Sequence, residues 1–258
     1  MKKVWITALD RDEAAVAKIL KIAKQYGLDG NGHFWVDDLK NMPWLVPKDE
    51  LLDGSNALWI ILSSGENLSR ESIRFSLSLL ALSVQAKRGN AFPITLVISK
   101  EPIDAETLPT PLQGCNVLLL NDPTLGAKLI AQASLPASIE KPEYNLDIHA
   151  NPALGLWFEV GPGAGLTWSG AIFGVRGGEI DAHGVGPCGK LPEKAVLEYP
   201  VKGLKLQLGE TEFTAWAVQN SLSEGASYYV RVQKTPAGVI FGSFSREDDL
   251  EVNVIRLI

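Results

Sequence analysis

Apolar and polar positions change rhythm once along this chain, near its middle. Before the change, unbroken apolar runs alternate with amphipathic stretches. Val4 to Leu9, Ala57 to Ser63 (ALWIILS), Phe92 to Ser99 and Asn116 to Leu120 are runs of the kind buried on both faces of a parallel sheet. His33 to Val36 adds a short second strand. After the first run, Val16, Ile19, Leu20, Ala23 and Tyr26 share one helical face, with Asp10 or Asp12 as cap and Gly27 as stop. The longest helix runs from Ser69 to near Gly89, Asp49 to Leu52 makes one helical turn, and Thr124 to Ala133 closes the series. Only a loop separates the fourth and fifth strands. This alternation predicts a doubly wound, five-stranded parallel sheet with helices on both faces.

Beyond it the period becomes two. Leu204, Leu206 and Leu208 alternate with Lys205 and Gln207, and Tyr228, Val230 and Val232 alternate with Tyr229, Arg231 and Gln233. Arg176-Gly177-Gly178 and Pro236-Ala237-Gly238 supply turns. The pattern predicts an antiparallel β-sandwich. The expected organisation is an α/β domain over 1–134, a proline-containing linker over 135–144 and a β domain over 145–258.

The chain has 258 residues, 46% of them hydrophobic, enough for a core in each half. A net charge of −6 with no long like-charge run argues against nucleic-acid binding through a basic face. No apolar run approaches the roughly 20 residues of a membrane-spanning helix. The two cysteines, Cys115 and Cys188, form neither a disulfide framework nor a CxxC knuckle. The N-terminal MKKVWITALDRDE begins like a signal peptide, but Asp10 to Glu13 interrupt the run and no small-residue cleavage site follows. A cytoplasmic, reducing setting is expected.

Four segments carry a family resemblance: VWITALD as first strand, a helix ending in Tyr26-Gly27, ALWIILSSGENLS, and FPITLVI. Over roughly residues 3–134 the chain resembles a TIR domain, the flavodoxin-like module of innate-immune adaptors and bacterial NAD-cleaving effectors. The resemblance implies a glutamate on the helix after the third strand in catalytic members. Phe75 stands at that position, beside Arg74; the nearest glutamate, Glu71, lies in the first helical turn, where an acid also complements the helix dipole. What the resemblance implies is therefore association more than catalysis, with no cofactor expected and NAD as the ligand of the catalytic alternative. Other uses of a doubly wound sheet lack their parts. The loop Asp10-Arg11-Asp12-Glu13 has no glycines to cradle phosphate, Ser63 and Ser64 stand where a phospho-acceptor aspartate would, and no GxSxG elbow occurs.

Several constellations remain, each with an ordinary structural alternative. Asp10, Asp12, Ser63, Ser64 and Glu66 fall at the carboxyl ends of strands, where a ligand crevice would open, and are also common loop and cap residues. On the long helix, Ile73, Leu77, Leu80 and Val84 form one apolar stripe and Phe75, Leu79 and Leu82 another, so it is covered on more than one side. Ser69, Arg74, Phe75, Leu79 and Leu82 are the expected surface for a protein partner or a second copy. Asp147-Ile148-His149 and Asp181-Ala182-His183 repeat D-x-H, whose ends share a face on a strand. With Cys188 these could ligate a transition metal, or be chance pairs, and no metal is expected. Gly161 to Gly165 precedes a strand-like run and so lacks the helix N-terminus an anion site needs. Trp157 and Trp168 could stack on sugars, although tryptophan in a sandwich ordinarily packs in the core. The expected function is a non-enzymatic scaffold or signalling protein of bacterial type, acting through protein association. The alternatives are an NAD- or nucleotide-consuming effector and a saccharide-binding β module.

Overall fold

The computed structural model describes residues 1–135, 142–245 and 250–258, and the chain divides into two compact units, 1–138 and 139–258. Most of the expected linker, 136–141, lies outside the described residues.

The first unit runs β1 (Lys2–Ala8), α1 (Glu13–Gln25), β2 (Leu28–Phe34), α2 (Val46–Leu52), β3 (Asn56–Ser63), α3 (Glu71–Arg88), β4 (Ile94–Ile98), β5 (Asn116–Leu119) and α4 (Leu125–Gln132). All neighbours in the sheet are parallel, in the order β2-β1-β3-β4-β5. This is the flavodoxin-like order of a doubly wound sheet. Alternate residues of the apolar strands serve opposite faces: Val4, Ile6, Leu58, Ile60 and Val97 join Ile19 and Ala23 of α1 and Leu125 and Leu129 of α4 in one core. Trp59 is fully buried, and its indole N–H donates to the Thr7 hydroxyl at 2.9 Å.

The second strand begins five residues earlier than its apolar pattern indicates, at Leu28 rather than His33. Its sequence, LDGNGHF, has poor strand propensity. It pairs because its glycines let two backbones approach: a Cβ at Gly32 would stand 2.0 Å from the Ile6 carbonyl oxygen. An edge strand tolerates such composition.

α3 is apolar nearly all round, and its covering comes from its own unit. α2 and short 3-10 turns at Pro43–Leu45, Glu66–Ser69 and Thr110–Leu112 pack against it. The last turn belongs to the connection between β4 and β5, which takes the place of a helix there. Gln85 donates to the Pro111 carbonyl at 2.8 Å, and Arg88 donates to the carbonyls of Leu51, Asp53 and Asn56 at 2.8, 2.9 and 2.7 Å.

The second unit contains β6 (Tyr144–Asn151), β7 (Gly155–Pro162), β8 (Thr167–Trp168), β9 (Ala171–Arg176), β10 (Glu179–Pro187), β11 (Val201–Leu208), β12 (Thr211–Val218), β13 (Leu222–Ser223), β14 (Ala226–Gln233), β15 (Gly238–Ser243) and β16 (Asn253–Arg256). Two antiparallel sheets, β10-β14-β7-β6 and β11-β12-β9-β15-β16, carry the core, and β8 and β13 form a small ribbon. Their inner faces meet through aromatic pairs: Phe158 with Phe173 at 5.1 Å and Tyr144 with Phe241 at 4.9 Å between ring centroids. Among the described residues no helix is long and apolar enough to cross a membrane.

Candidate functional site

In a sheet of this order, ligands bind beyond the carboxyl ends of β1 and β3, where the winding reverses. Here the chain's own side chains bridge that crevice. The N–H and hydroxyl of Ser64 donate to the Asp10 carboxylate at 2.6 and 3.0 Å. The Asn67 amide donates to Asp10 and to the Leu9 carbonyl, both at 2.9 Å. Ser63 accepts from the Gly65 N–H at 3.0 Å, and Glu66 pairs with Lys100 at 2.6 Å. Asp10, Ser63, Ser64 and Glu66 are thus gathered in one loop cluster. Asp12 instead caps α1, accepting from the Ala15 N–H at 2.9 Å, and Glu71 is exposed on the first turn of α3.

The surface expected on α3 is closed. Phe75, Leu79 and Leu82 are buried under the elements that wrap the helix. Arg74 donates to the carbonyls of Leu68, at 3.3 Å, and of Thr107, tying the Glu66–Ser69 turn and part of the β4–β5 connection to α3. Of that set Ser69 is exposed.

The β domain is different. The outer face of β10-β14-β7-β6, which in a two-sheet domain commonly faces water, carries buried charge. Strand pairing sets Tyr229 opposite Glu159 and Glu159 opposite Asp147; in the next row Arg231 opposes Trp157 and Trp157 opposes His149. Glu159 and Asp147 are 0% and 2% exposed. The His149 Nε2 lies 2.6 Å from Glu159 Oε2. Glu159 Oε1 accepts from the Ser227 hydroxyl at 2.7 Å, the Gly189 N–H at 2.8 Å and the Asn145 amide at 3.2 Å. The same Asn145 nitrogen is 3.5 Å from Cys188 Sγ. Ligand atoms of Asp147, His149 and Glu159 all lie within 4.8 Å of one another.

A segment following β10 roofs this cluster. Gly184 and Gly186 make room for it: a Cβ on either would stand 2.9 Å from the Ala195 Cβ or 2.6 Å from the Pro192 Cβ. The Lys190 N–H donates to the Tyr229 hydroxyl at 3.1 Å, and that hydroxyl donates to the Pro187 carbonyl. Burial alone would raise the Glu159 carboxyl, but hydrogen bonds from His149, Gly189, Ser227 and Cys188 outweigh it and hold the group at about 2. Burial and the neighbouring Glu159 charge push the Tyr229 phenol up.

The two D-x-H pairs separate. Asp147 and His149 share the outer face as strand alternation requires. In β10 a bulge between Ile180 and Ala182 inserts Asp181 as an unpaired residue. Asp181 points outward to Arg231 and Gln233 at 2.8 and 2.9 Å. His183 turns inward, its Nδ1 2.8 Å from the Tyr228 hydroxyl and its ring 4.8 Å from that of Trp216. The expectation that Asp181 and His183 share a face is corrected by that one residue. Of the saccharide candidates, Trp168 is buried and paired with Leu222 across the ribbon. Trp157 lies half-buried on the outer face with the Arg231 guanidinium 5.5 Å from its ring. Glu159, Ser227, Tyr229 and Asn145 escaped the sequence reading. The signal for Glu159 was the β6–β7 hairpin, whose register sets it opposite Asp147, and for Asn145 its place two residues before Asp147 on the same strand.

No family model matches the chain, and no curated protein matches it.

Two histidines outside the cluster set an acid limit on stability. Burial lowers His183 to about 4, with Lys202 adding to the effect, and burial lowers His33 to about 4. His183 faces the Tyr228 hydroxyl and Trp216; His33 accepts from the Trp5 indole at 3.2 Å and lies beside Trp35. The unfolded chain takes up these protons near 6.5 while the folded chain resists them to about 4. Stability is therefore full above the first value and falls as pH drops toward the second, by about 1–2 kcal/mol per histidine after solvent screening. Urea midpoints measured across this window will show the loss, and His183→Gln will flatten it; an unchanged slope in that variant would exclude His183 as a source.

Proposed function

We propose that the chain is a binding protein whose ligand site is the outer face of the β domain, around His149 and Glu159, with the α/β domain as its scaffold. The carrying observation is Glu159: a fully buried carboxylate on the outward face of a sheet, held by four separate donors beneath a roofing segment. Buried charge costs folding energy, and here it stands on the face opposite the apolar core of the domain, where a binding role accounts for that cost.

The scaffold role for the α/β domain draws on the TIR-like resemblance and on its parallel sheet. A nicotinamide-releasing role has less support: Phe75 stands in place of the catalytic glutamate and is buried, and Asp10 is engaged by Ser64 and Asn67. A thermal-shift series on the full chain with NAD, ATP, zinc and a set of oligosaccharides tests the reading. A ligand at a hundred times its dissociation constant adds about 2.7 kcal/mol, a shift of several degrees. At least one probe is expected to stabilise the wild type and not His149→Gln. Two outcomes overturn the reading: no shift with any probe, or an NAD shift that survives His149→Gln and is lost in Asp10→Asn.

A further inference from the structure

The geometry points to a divalent transition-metal site formed by Asp147, His149 and Glu159 on the outer face of the β6–β7 hairpin. This rests on the binding role proposed for that face and names its ligand. Three observations carry it. The donors are one imidazole nitrogen and two carboxylates, all within 4.8 Å of one another. Ligand atoms around a metal bonded at about 2.1 Å stand roughly 3–3.5 Å apart, so the set closes onto an ion through small side-chain rotations. Asp147 and Glu159 are directly opposed across the hairpin; like charges so placed repel, and a dication between them turns the repulsion into coordination.

Glu159 is also oriented for the task. Ser227 and Gly189 hold Oε1, so that Oε2 faces His149, and the Ile148 N–H fixes Asp147 Oδ1 at 2.7 Å. Metal ligands are commonly held by outer hydrogen bonds of this kind. His149 Nε2 would exchange its contact with Glu159 for the metal. The mixed nitrogen and oxygen set favours zinc and its neighbours over magnesium or calcium, which prefer oxygen alone.

Chelator-stripped full-length protein titrated by calorimetry with zinc chloride, and separately with magnesium chloride, decides the matter. One zinc per chain is expected, with no comparable magnesium binding. His149→Gln and the isosteric Asp147→Asn are each expected to weaken zinc by more than about a hundredfold, beyond the cost of losing an outer hydrogen bond. Asp181→Asn, on the same face but paired to Arg231, should bind zinc like the wild type. Urea midpoints without metal confirm that each variant is folded. Absence of zinc binding in the wild type, or unchanged affinity in both ligand variants, overturns the metal site. If zinc fails while an organic probe stabilises the wild type and not His149→Gln, the face binds a ligand but not a metal.

Discussion

Glu159→Ala is expected to destabilise the β domain by about 3–5 kcal/mol, because it leaves several donors without their acceptor and each buried group left unpaired costs about 1–3 kcal/mol. The substitution strands His149, the Ser227 hydroxyl, the Gly189 N–H and the Asn145 amide at once. Glu159→Gln should cost clearly less, because its amide oxygen can still accept from Ser227 and Gly189. Urea denaturation followed by far-ultraviolet circular dichroism gives both values. Equal losses in the two variants would mean that shape, not hydrogen bonding, holds this position. The roof also depends on Glu159, since Gly189 is bonded directly to it. Proteolysis between Cys188 and Ala195 is therefore expected to accelerate more in the alanine variant than in the glutamine one.

The α/β domain has its own point of concentrated stability. Trp59→Ala should cost about 3–5 kcal/mol, the range for deleting a large buried aromatic side chain. The site is fully buried in the middle of the sheet, so it can collapse little around the cavity, and the Thr7 hydroxyl loses its donor. Trp59→Phe keeps most of the apolar volume and should cost under half as much. Equilibrium unfolding in urea measures the two. A loss below about 1 kcal/mol for the alanine variant would show that the sheet repacks around the missing indole.

How far the sequence disclosed these features depended on how local their causes are. The unbroken runs at Val4, Ala57 and Phe92 reveal a doubly covered parallel sheet because burial on both faces leaves no alternation to misread. The strand at Leu28 was hidden, since Asp29, Gly30, Asn31 and Gly32 have little strand propensity and pair only because the neighbouring strand accepts them. The stripes of α3 rightly announced covering on more than one side, but the cover is α2 and irregular turns, among them one in the β4–β5 connection, whose placement no periodicity encodes. At the candidate site, Asp147 and His149 were legible as neighbours two apart on one strand. Glu159 becomes their partner through the hairpin register, and Ser227, Tyr229 and Gly189 arrive from strands and turns far along the chain. Only the assembled sheet brings such residues together.

The bulge at Asp181 has a consequence for how this gene can vary. β10 carries one residue more than the strand it pairs with, and both flanks keep their partners, Ile180 with Val232 and Ala182 with Arg231. Losing the codon for Asp181 would leave every later residue of the strand facing as it does now, with His183 inward and Gly184 under the roof. Losing any codon between Gly184 and Gly186 would flip the residues beyond it. Length variation in this strand is therefore expected to be tolerated at Asp181 and selected against a few codons downstream.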